Sequence, residues 1–571
     1  MTSVPAQPTL RVHLETFGCQ MNELDSELVG GRLGGLGYRL VAGPDEADVV
    51  LYNTCSVRDL AEQKVRSRLG QLAKRRERDA GLVVGVIGCM AERDGVSLLR
   101  QFPVVDLLCG PAELDKLPGL LANAIATRRS LDGEAGVAAD LGETAGLGTV
   151  ALAGDRSRRS STLGAAEDSL ELLDLSRSTD PSGMGSRSAY VRITRGCNKF
   201  CTYCVVPHTR GAEIHRPPDH IVEECRKLAE SGVIEVTLLG QTVNHYRFEH
   251  GSAVLINGVT QPQKGRTYKG SHHRDAYGVN AGARVTTFAD LLHRIHEEVP
   301  AIERLRFVTS YPRDFGVDVL EVIRDSPRIC RYLHCPAQSG SDDVLKRMNR
   351  GYTAGEFEEW AARAREYLHQ PEIGRPLMIA GDIIVGFCGE TDADYELTRG
   401  LLERVRFKNN FIFKYSPRPG TTAFGRLPDD VPDEVKRWRC NDLLALQSRI
   451  SEEVGAEQIG QTVSVFVEGL SARERKKASK PIGAVGLTVG GRTIEAPARD
   501  MDVAQAVAAP QLSGRTDGDL IVVFDCPPGC APDDLVGTIH RVHIGSSRQL
   551  TLQGDLVGAS NVYSSASDTE R

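Results

Sequence analysis

The stretch Arg195-Gly196-Cys197-Asn198-Lys199-Phe200-Cys201-Thr202-Tyr203-Cys204 follows directly on a strand-like run, Tyr190 to Thr194, and packs three cysteines into one short loop. A C-x3-C-x2-C loop can hold three irons of a cubane cluster through thiolates and leave the fourth iron without a protein ligand, open to a small molecule. Zinc is the competing occupant. A structural zinc takes four ligands, and the nearest histidine, His208, would complete only an unusual C-x3-C-x2-C-x3-H pattern. An iron-sulfur cluster fits better, and the strand before it becomes the first of a series.

Downstream, further strand candidates are Ile234 to Leu239, Leu305 to Thr309, Tyr332 to Cys335, Met378 to Val385 and Asn410 to Tyr415, most of them separated by helical patterns. Six successive βα units predict a barrel-like parallel sheet, complete or partial, with its active face at the carboxyl ends of the strands. After a helix around Asp433 to Gly455 the pattern changes. Thr462 to Glu468, Ile482 to Leu487, Ile521 to Phe524 and Val536 to Ile544 are short, turn-punctuated and helix-free, which predicts a small antiparallel β-barrel.

Upstream lies a second set of cysteines. Arg11 to Phe17, Asp48 to Asn53 and Leu82 to Gly88 read as strands that end at Cys19, Cys55 and Cys89, and each is followed by a helical pattern. A strand, cysteine, helix unit repeated in this way belongs to a parallel α/β sheet, whose carboxyl-end loops share one ligand-binding edge. Three cysteines 36 and 34 residues apart are thereby expected in one crevice. The other eight (Cys109, Cys225, Cys330, Cys335, Cys388, Cys440, Cys526 and Cys530) read as bystanders, since a lone buried thiol is commonly just packing. The run Gly30 to Gly37 lacks G-x-G-x-x-G spacing and sits in a helical pattern, so it is no dinucleotide fingerprint.

The expected organisation is an α/β domain at 10–128, a flexible linker at 129–187, a central domain at 188–452 with an insertion at 250–283, the small β-barrel at 455–552 and a tail at 553–571. The linker is poor in aromatics, with a short helix expected near Asp168 to Leu175, and the insertion is polar and aperiodic. A chain of 571 residues with 69 Lys plus Arg, 76 Asp plus Glu and a net charge of -7 has no global field drawing it to nucleic acid, so any such contact must be local. The N-terminus shows no signal sequence and no apolar run suits a bilayer. A reducing cytoplasm is expected, where clustered cysteines favour metals over disulfides.

Several longer motifs accompany the cysteines: ETFGCQMN (15–22), NTCSVR (53–58), GCMAER (88–93), RGCNKFCTYCVVPHTRG (195–211), QSGSDDVLKRMNRGYT (338–353), GDIIVGF (381–387) and YSPRPGT (415–421). The loop resembles that of the radical S-adenosylmethionine superfamily. Together the motifs resemble the methylthiotransferases, and among them the branch that makes 2-methylthio-N6-isopentenyladenosine in tRNA.

The resemblance implies two [4Fe-4S] clusters, a radical one on Cys197, Cys201 and Cys204 and a second on Cys19, Cys55 and Cys89. It implies that S-adenosylmethionine on the open iron yields a 5′-deoxyadenosyl radical, which takes the C2 hydrogen of N6-isopentenyladenosine at tRNA position 37. The second cluster would supply sulfur, and a second S-adenosylmethionine the methyl group. Tyr203, Gly240, Gln241, Asn244, Gln338 and Ser339 are the expected cofactor contacts, and Arg210 could counter a carboxylate or phosphate. The C-terminal barrel resembles the TRAM domain, with Arg473, Arg475, Lys476, Lys477 and Lys480 as its phosphate contacts and Ser513-Gly514-Arg515-Thr516 matching a family tract. Expected partners are tRNA, an electron donor such as flavodoxin or ferredoxin and a sulfur donor, with no membrane and the chain as a monomer. Sister branches leave two other targets open, threonylcarbamoyladenosine in tRNA or a ribosomal-protein aspartate. A zinc-containing RNA-binding protein is the non-enzyme alternative.

Overall fold

The computed structural model describes residues 10–56, 59–133, 148–153, 168–178, 187–265, 284–478, 486–489, 492–495 and 509–558. At the N-terminus, β1 (Arg11–Phe17), β2 (Arg39–Leu40), β3 (Val49–Thr54), β4 (Val83–Gly88), β5 (Leu107–Cys109) and β6 (Thr149–Ala151) form one parallel sheet in the order β2-β1-β3-β4-β5-β6. Helices α1 (Gln20–Gly35) and α4 (Leu117–Gly133) share one core with Val49, Leu51 and Ile87. Helices α2 (Asp59–Arg76) and α3 (Cys89–Asp94) cover the other face, over Val50, Tyr52 and Val86. Burial on both faces explains why β3 and β4 are apolar runs rather than alternating ones.

Two pieces of the stretch read as linker are ordered elements. Strand β6 is the sheet's edge, and α5 (Ser169–Leu175), capped by the Asp168 side chain, buries Leu170 and Leu173. The helix is the short one expected near Asp168 to Leu175, though packed rather than solvated; β6 is missed because it is only three residues long. Glu171 and Asp174 are 0% and 2% exposed, paired with Arg216 and Arg192 of the central domain.

The central domain has six parallel strands in two halves. Strands β7 (Ser188–Arg192), β8 (Glu235–Leu239) and β9 (Arg304–Phe307) form one; β10 (Tyr332–His334), β11 (Met378–Val385) and β12 (Asn409–Lys414) form the other. A bridge between Leu305 and Ile329 joins them into a partial barrel. All six lie within two residues of their sequence-based positions. The first part of the insertion is ordered too: a small hairpin pairs Leu255–Ile256 with Val259–Thr260, and Gln263–Lys264 pairs with Ile214–His215 beside the cysteine loop.

The C-terminal domain is a closed five-stranded barrel of β13 (Thr462–Leu470), β14 (Gln511–Thr516), β15 (Ile521–Asp525), β16 (Ile539–Arg548) and β17 (Thr551–Leu556). It is not helix-free, because Ala472–Ala478 is a short helix carrying the basic strip. Part of the expected strand Ile482 to Leu487, and Lys480, lie outside the described residues. The tract 514–519 docks on the amino-terminal side of the central strands: Arg304 donates to the carbonyls of Arg515 and Ser464 (both 2.7 Å), Arg306 to that of Thr516 (2.6 Å), and Lys408 pairs with Asp519 at 2.8 Å. Gly518 is required there, since a Cβ would lie 2.4 Å from Met378 Cγ.

Candidate active site

The cysteine loop begins with Gly196 at φ 66, where a Cβ would lie 2.1 Å from the Ala212 carbonyl oxygen, so only glycine lets the chain pass. Cys197 and Cys201 are buried, and Cys204 is nearly so. The Lys199 amide approaches Cys197 Sγ at 3.5 Å, and Thr242 Oγ1 lies 3.7 Å from it. Burial, with Glu213 and Cys201 nearby, pushes the Cys197 thiol up to about 12; burial and the two neighbouring cysteines push Cys204 up as well. Such crowded thiols ionise only when a cation is bound among them. Part of the compensation is built in. Arg350, itself buried, donates to Cys201 Sγ at 3.4 Å and lies over Tyr311 and Tyr352 at 4.8 and 5.0 Å from their ring centroids.

The second trio is gathered by strand register. Phe17 pairs with Thr54 and Thr54 with Gly88, so Cys19, Cys55 and Cys89 leave adjacent strand ends at one level. Gly88, at φ 89, has no room for a Cβ, which would meet Asn53 Oδ1 at 2.4 Å. Asn53 is itself held by Asn22 Nδ2 at 2.8 Å, and Asn22 accepts from Cys19 Sγ at 3.2 Å. A hydrogen bond from Cys55 lowers the Cys19 thiol to about 6 against the cost of burial, helped by Arg210 and by amides at the start of α1. Burial raises Cys89, with Arg210 opposing. Arg210 is thus the cation of this trio. It comes from the central domain and pairs with Asp25 of α1 at 2.9 Å.

Cys19, Cys55, Cys197, Cys201 and Cys204 all line one cavity of about 680 Å³, which runs through the partial barrel to Arg515 and Asp519 of the C-terminal domain. Among the described residues, the group of three potential ligands whose atoms lie within 4.8 Å of one another is Glu213, His215 and His245, not either cysteine trio. Zinc held at about 2.3 Å brings its sulfurs to about 3.8 Å apart. Neither trio is drawn together in this way as a whole.

The expected cofactor contacts divide into two groups. Tyr203, Gln241 and Gln338 line the cavity. Gln338 holds φ 71 four residues beyond β10 and has its buried Oε1 without a hydrogen-bond partner, as a ligand-facing group would. Gly240, Asn244 and Ser339 are committed to the scaffold. A Cβ on Gly240 would lie 2.2 Å from Thr194 Oγ1. Asn244 bridges the Tyr311 carbonyl and amide at 2.8 and 2.9 Å, and Ser339 Oγ meets Thr398 Oγ1 at 3.1 Å. Sequence reasoning missed Arg350, although it stands inside a quoted motif; a basic residue nearly 150 positions from Cys201 gives no local sign that it faces a sulfur. It also missed Thr309 at φ 67 and the half-exposed Phe411 and Phe413, all lining the cavity. Arg473, Arg475, Lys476 and Lys477 are exposed.

Residues 191–402 match the Radical SAM superfamily, and residues 11–110 match uncharacterized protein family UPF0004. The class defined by the partial barrel and its cysteine loop is therefore that of the radical S-adenosylmethionine enzymes. Among curated relatives, the tRNA-2-methylthio-N(6)-dimethylallyladenosine synthase of Rhodopirellula baltica is 43% identical over 90% of each chain, and that of Porphyromonas gingivalis is 38% identical over 96% of this chain and 95% of its own. The chain belongs to this synthase family. A radical S-adenosylmethionine methyltransferase of Kitasatospora setae, solved with cobalamin and a [4Fe-4S] cluster, aligns at TM-score 0.43 with 15% identity over 73% of this chain and 77% of its own.

Proposed function

We propose that the chain methylthiolates C2 of N6-isopentenyladenosine in tRNA, with one [4Fe-4S] cluster on Cys197, Cys201 and Cys204 and another on Cys19, Cys55 and Cys89. The observation that carries this is the opening of the loop trio and of Cys19 and Cys55 from the second trio onto one cavity, which lets sulfur and radical chemistry meet at one base. When bound, the clusters and S-adenosylmethionine supply the electron, sulfur and methyl chemistry. The chain supplies position and charge. Arg350 and Arg210 each place a buried guanidinium against one trio. Tyr203, Gln241 and Gln338 form the wall for the cofactor, and Phe411 and Phe413, on the barrel's outer strand β12, offer faces on which a splayed base can stack. The exposed cations of Ala472–Ala478 hold tRNA phosphates.

No described helix is long and apolar enough to cross a membrane. A cytoplasmic enzyme meeting tRNA, a flavodoxin- or ferredoxin-like donor and a sulfur donor accords with that and with its relatives. The test is mass spectrometry of tRNA nucleosides from a deletion strain. Unthiolated isopentenyladenosine should accumulate, and the wild-type gene should restore the methylthio form while Cys197→Ala and Cys19→Ala do not. Restoration by Cys19→Ala would remove the second cluster from the mechanism.

A further inference from the structure

Glu213, His215 and His245 stand outside the cavity lining, yet their ligand atoms lie within 4.8 Å of one another. Glu213 and His215 are 1% and 2% exposed. His245 Nδ1 is 2.7 Å from Glu213 Oε2, and the two imidazole rings meet edge to face at 6.0 Å. Two buried polar atoms of the group have no hydrogen-bond partner, Glu213 Oε1 and His215 Nδ1. Buried polar atoms left unpaired cost about 1–3 kcal/mol each, and such atoms call for an explanation. The backbone crosses closely above them: a Cβ at Gly265 would lie 2.8 Å from both Glu213 Oε2 and His215 Nε2.

We propose that Glu213, His215 and His245 form a binding site for a single divalent transition-metal ion of the zinc class. Two imidazoles and a carboxylate are common zinc donors, at about 2.0–2.2 Å. Two such bonds span at most about 4.2 Å, so the group must close by less than an ångström from its widest permitted separation, within reach of side-chain rotation. Burial holds His215 neutral, lowered to about 4, which is the form in which imidazole ligates. The hydrogen bond between His245 and Glu213 gives way to joint ligation.

The ion would tie three segments together. His215 lies in the short strand after the cysteine loop, His245 ends the turn Val243–His245 after β8, and Gly265 follows the inserted strand Gln263–Lys264, which pairs with Ile214–His215. Asn198, between the first two loop cysteines, accepts from the Glu213 amide and donates to the Gly265 carbonyl, both at 3.1 Å. The site therefore braces the base of the cysteine loop and the start of the insertion. Its residues are positioning residues; they touch no reacting atom.

The test uses the full-length protein with its clusters assembled anaerobically, freed of loosely held metal and then offered Zn²⁺ alone, with zinc and iron counted together by mass spectrometry. The wild-type protein should take up about one tightly held zinc per chain, and His215→Ala and His245→Gln should each reduce it to about a tenth or less with iron unchanged. His245→Gln can still hydrogen-bond Glu213, so a purely structural pair survives it. If His215→Ala loses iron as well, His245→Gln decides. Zinc uptake equal in the wild type and His245→Gln, or none in the wild type, overturns the proposal.

Discussion

Arg210→Gln should separate the two halves of the chemistry. Arg210 is buried and places Nη2 2.9 Å from Asp25 Oδ2, with Cys19 and Cys89 among the charges it faces. Losing one partner of a buried pair costs about 3–5 kcal/mol. Asp25 keeps a second partner, Arg192 at 3.1 Å, which also holds Asp174 at 2.6 Å. The expected loss is therefore near the lower end, about 3 kcal/mol, or more than a hundredfold in the equilibrium that keeps α1 docked on the central domain. The same change removes the cation that favours the Cys19 thiolate and opposes the upward push of burial on Cys89. Iron should fall from about eight to about four atoms per chain, with reductive cleavage of S-adenosylmethionine retained and methylthiolation lost. Arg210→Lys, which keeps the charge but not the planar fork, should recover part of the iron. The reasoning is refuted if Arg210→Gln keeps its full iron and its denaturant midpoint shifts by less than about 0.5 kcal/mol in stability terms, the range of an inert surface change.

Arg350→Leu should give the opposite pattern, losing the loop cluster and cleavage of S-adenosylmethionine while the second cluster stays, as read by iron content and electron paramagnetic resonance; unchanged cleavage would refute the pairing with Cys201. Replacing Phe411 and Phe413 together by Ala should leave iron content intact and lower kcat/KM for tRNA about 10- to 100-fold, from a base-stacking contribution of about 1–3 kcal/mol; an unchanged value would remove them from substrate binding. Acid should weaken the junction through Glu171. Burial pushes its carboxyl up, but Arg216 and His220 outweigh it and hold it at about 2 against 4.5 in a free glutamate. A depressed carboxyl stabilises the fold fully above 4.5, and that part is lost as pH falls from 4.5 towards 2, about 3 kcal/mol in all. The difference in urea midpoint between the wild type and Glu171→Gln should shrink over that window, and a constant difference would refute it.

What the sequence reveals here depends on how far apart the cooperating residues lie. The cysteine loop and the three strand-end cysteines are legible because a local rule, a ligand at the carboxyl end of a parallel strand, places them without any long-range contact. The strands are legible because burial on both faces writes continuous apolar runs such as Val83–Gly88. The cations that serve those cysteines are not. Arg350 and Arg210 reach their sulfurs and carboxylates only through tertiary packing, and charge in a sequence reads by default as solvated. The same default hides the burial of α5's acids, which are paired across a domain boundary, and the docking of the tract from Gly514 to Asp519. Its Asp519 faces Arg306 and Lys408 of the central domain, so the tract closes the far end of the cavity. Because the C-terminal barrel closes one end of the cavity and the N-terminal sheet brings Cys19 and Cys55 to its wall, the cavity belongs to no single domain. A substitution at Arg304 or Arg306, which hold the C-terminal barrel to β9, therefore bears on the site by loosening its floor.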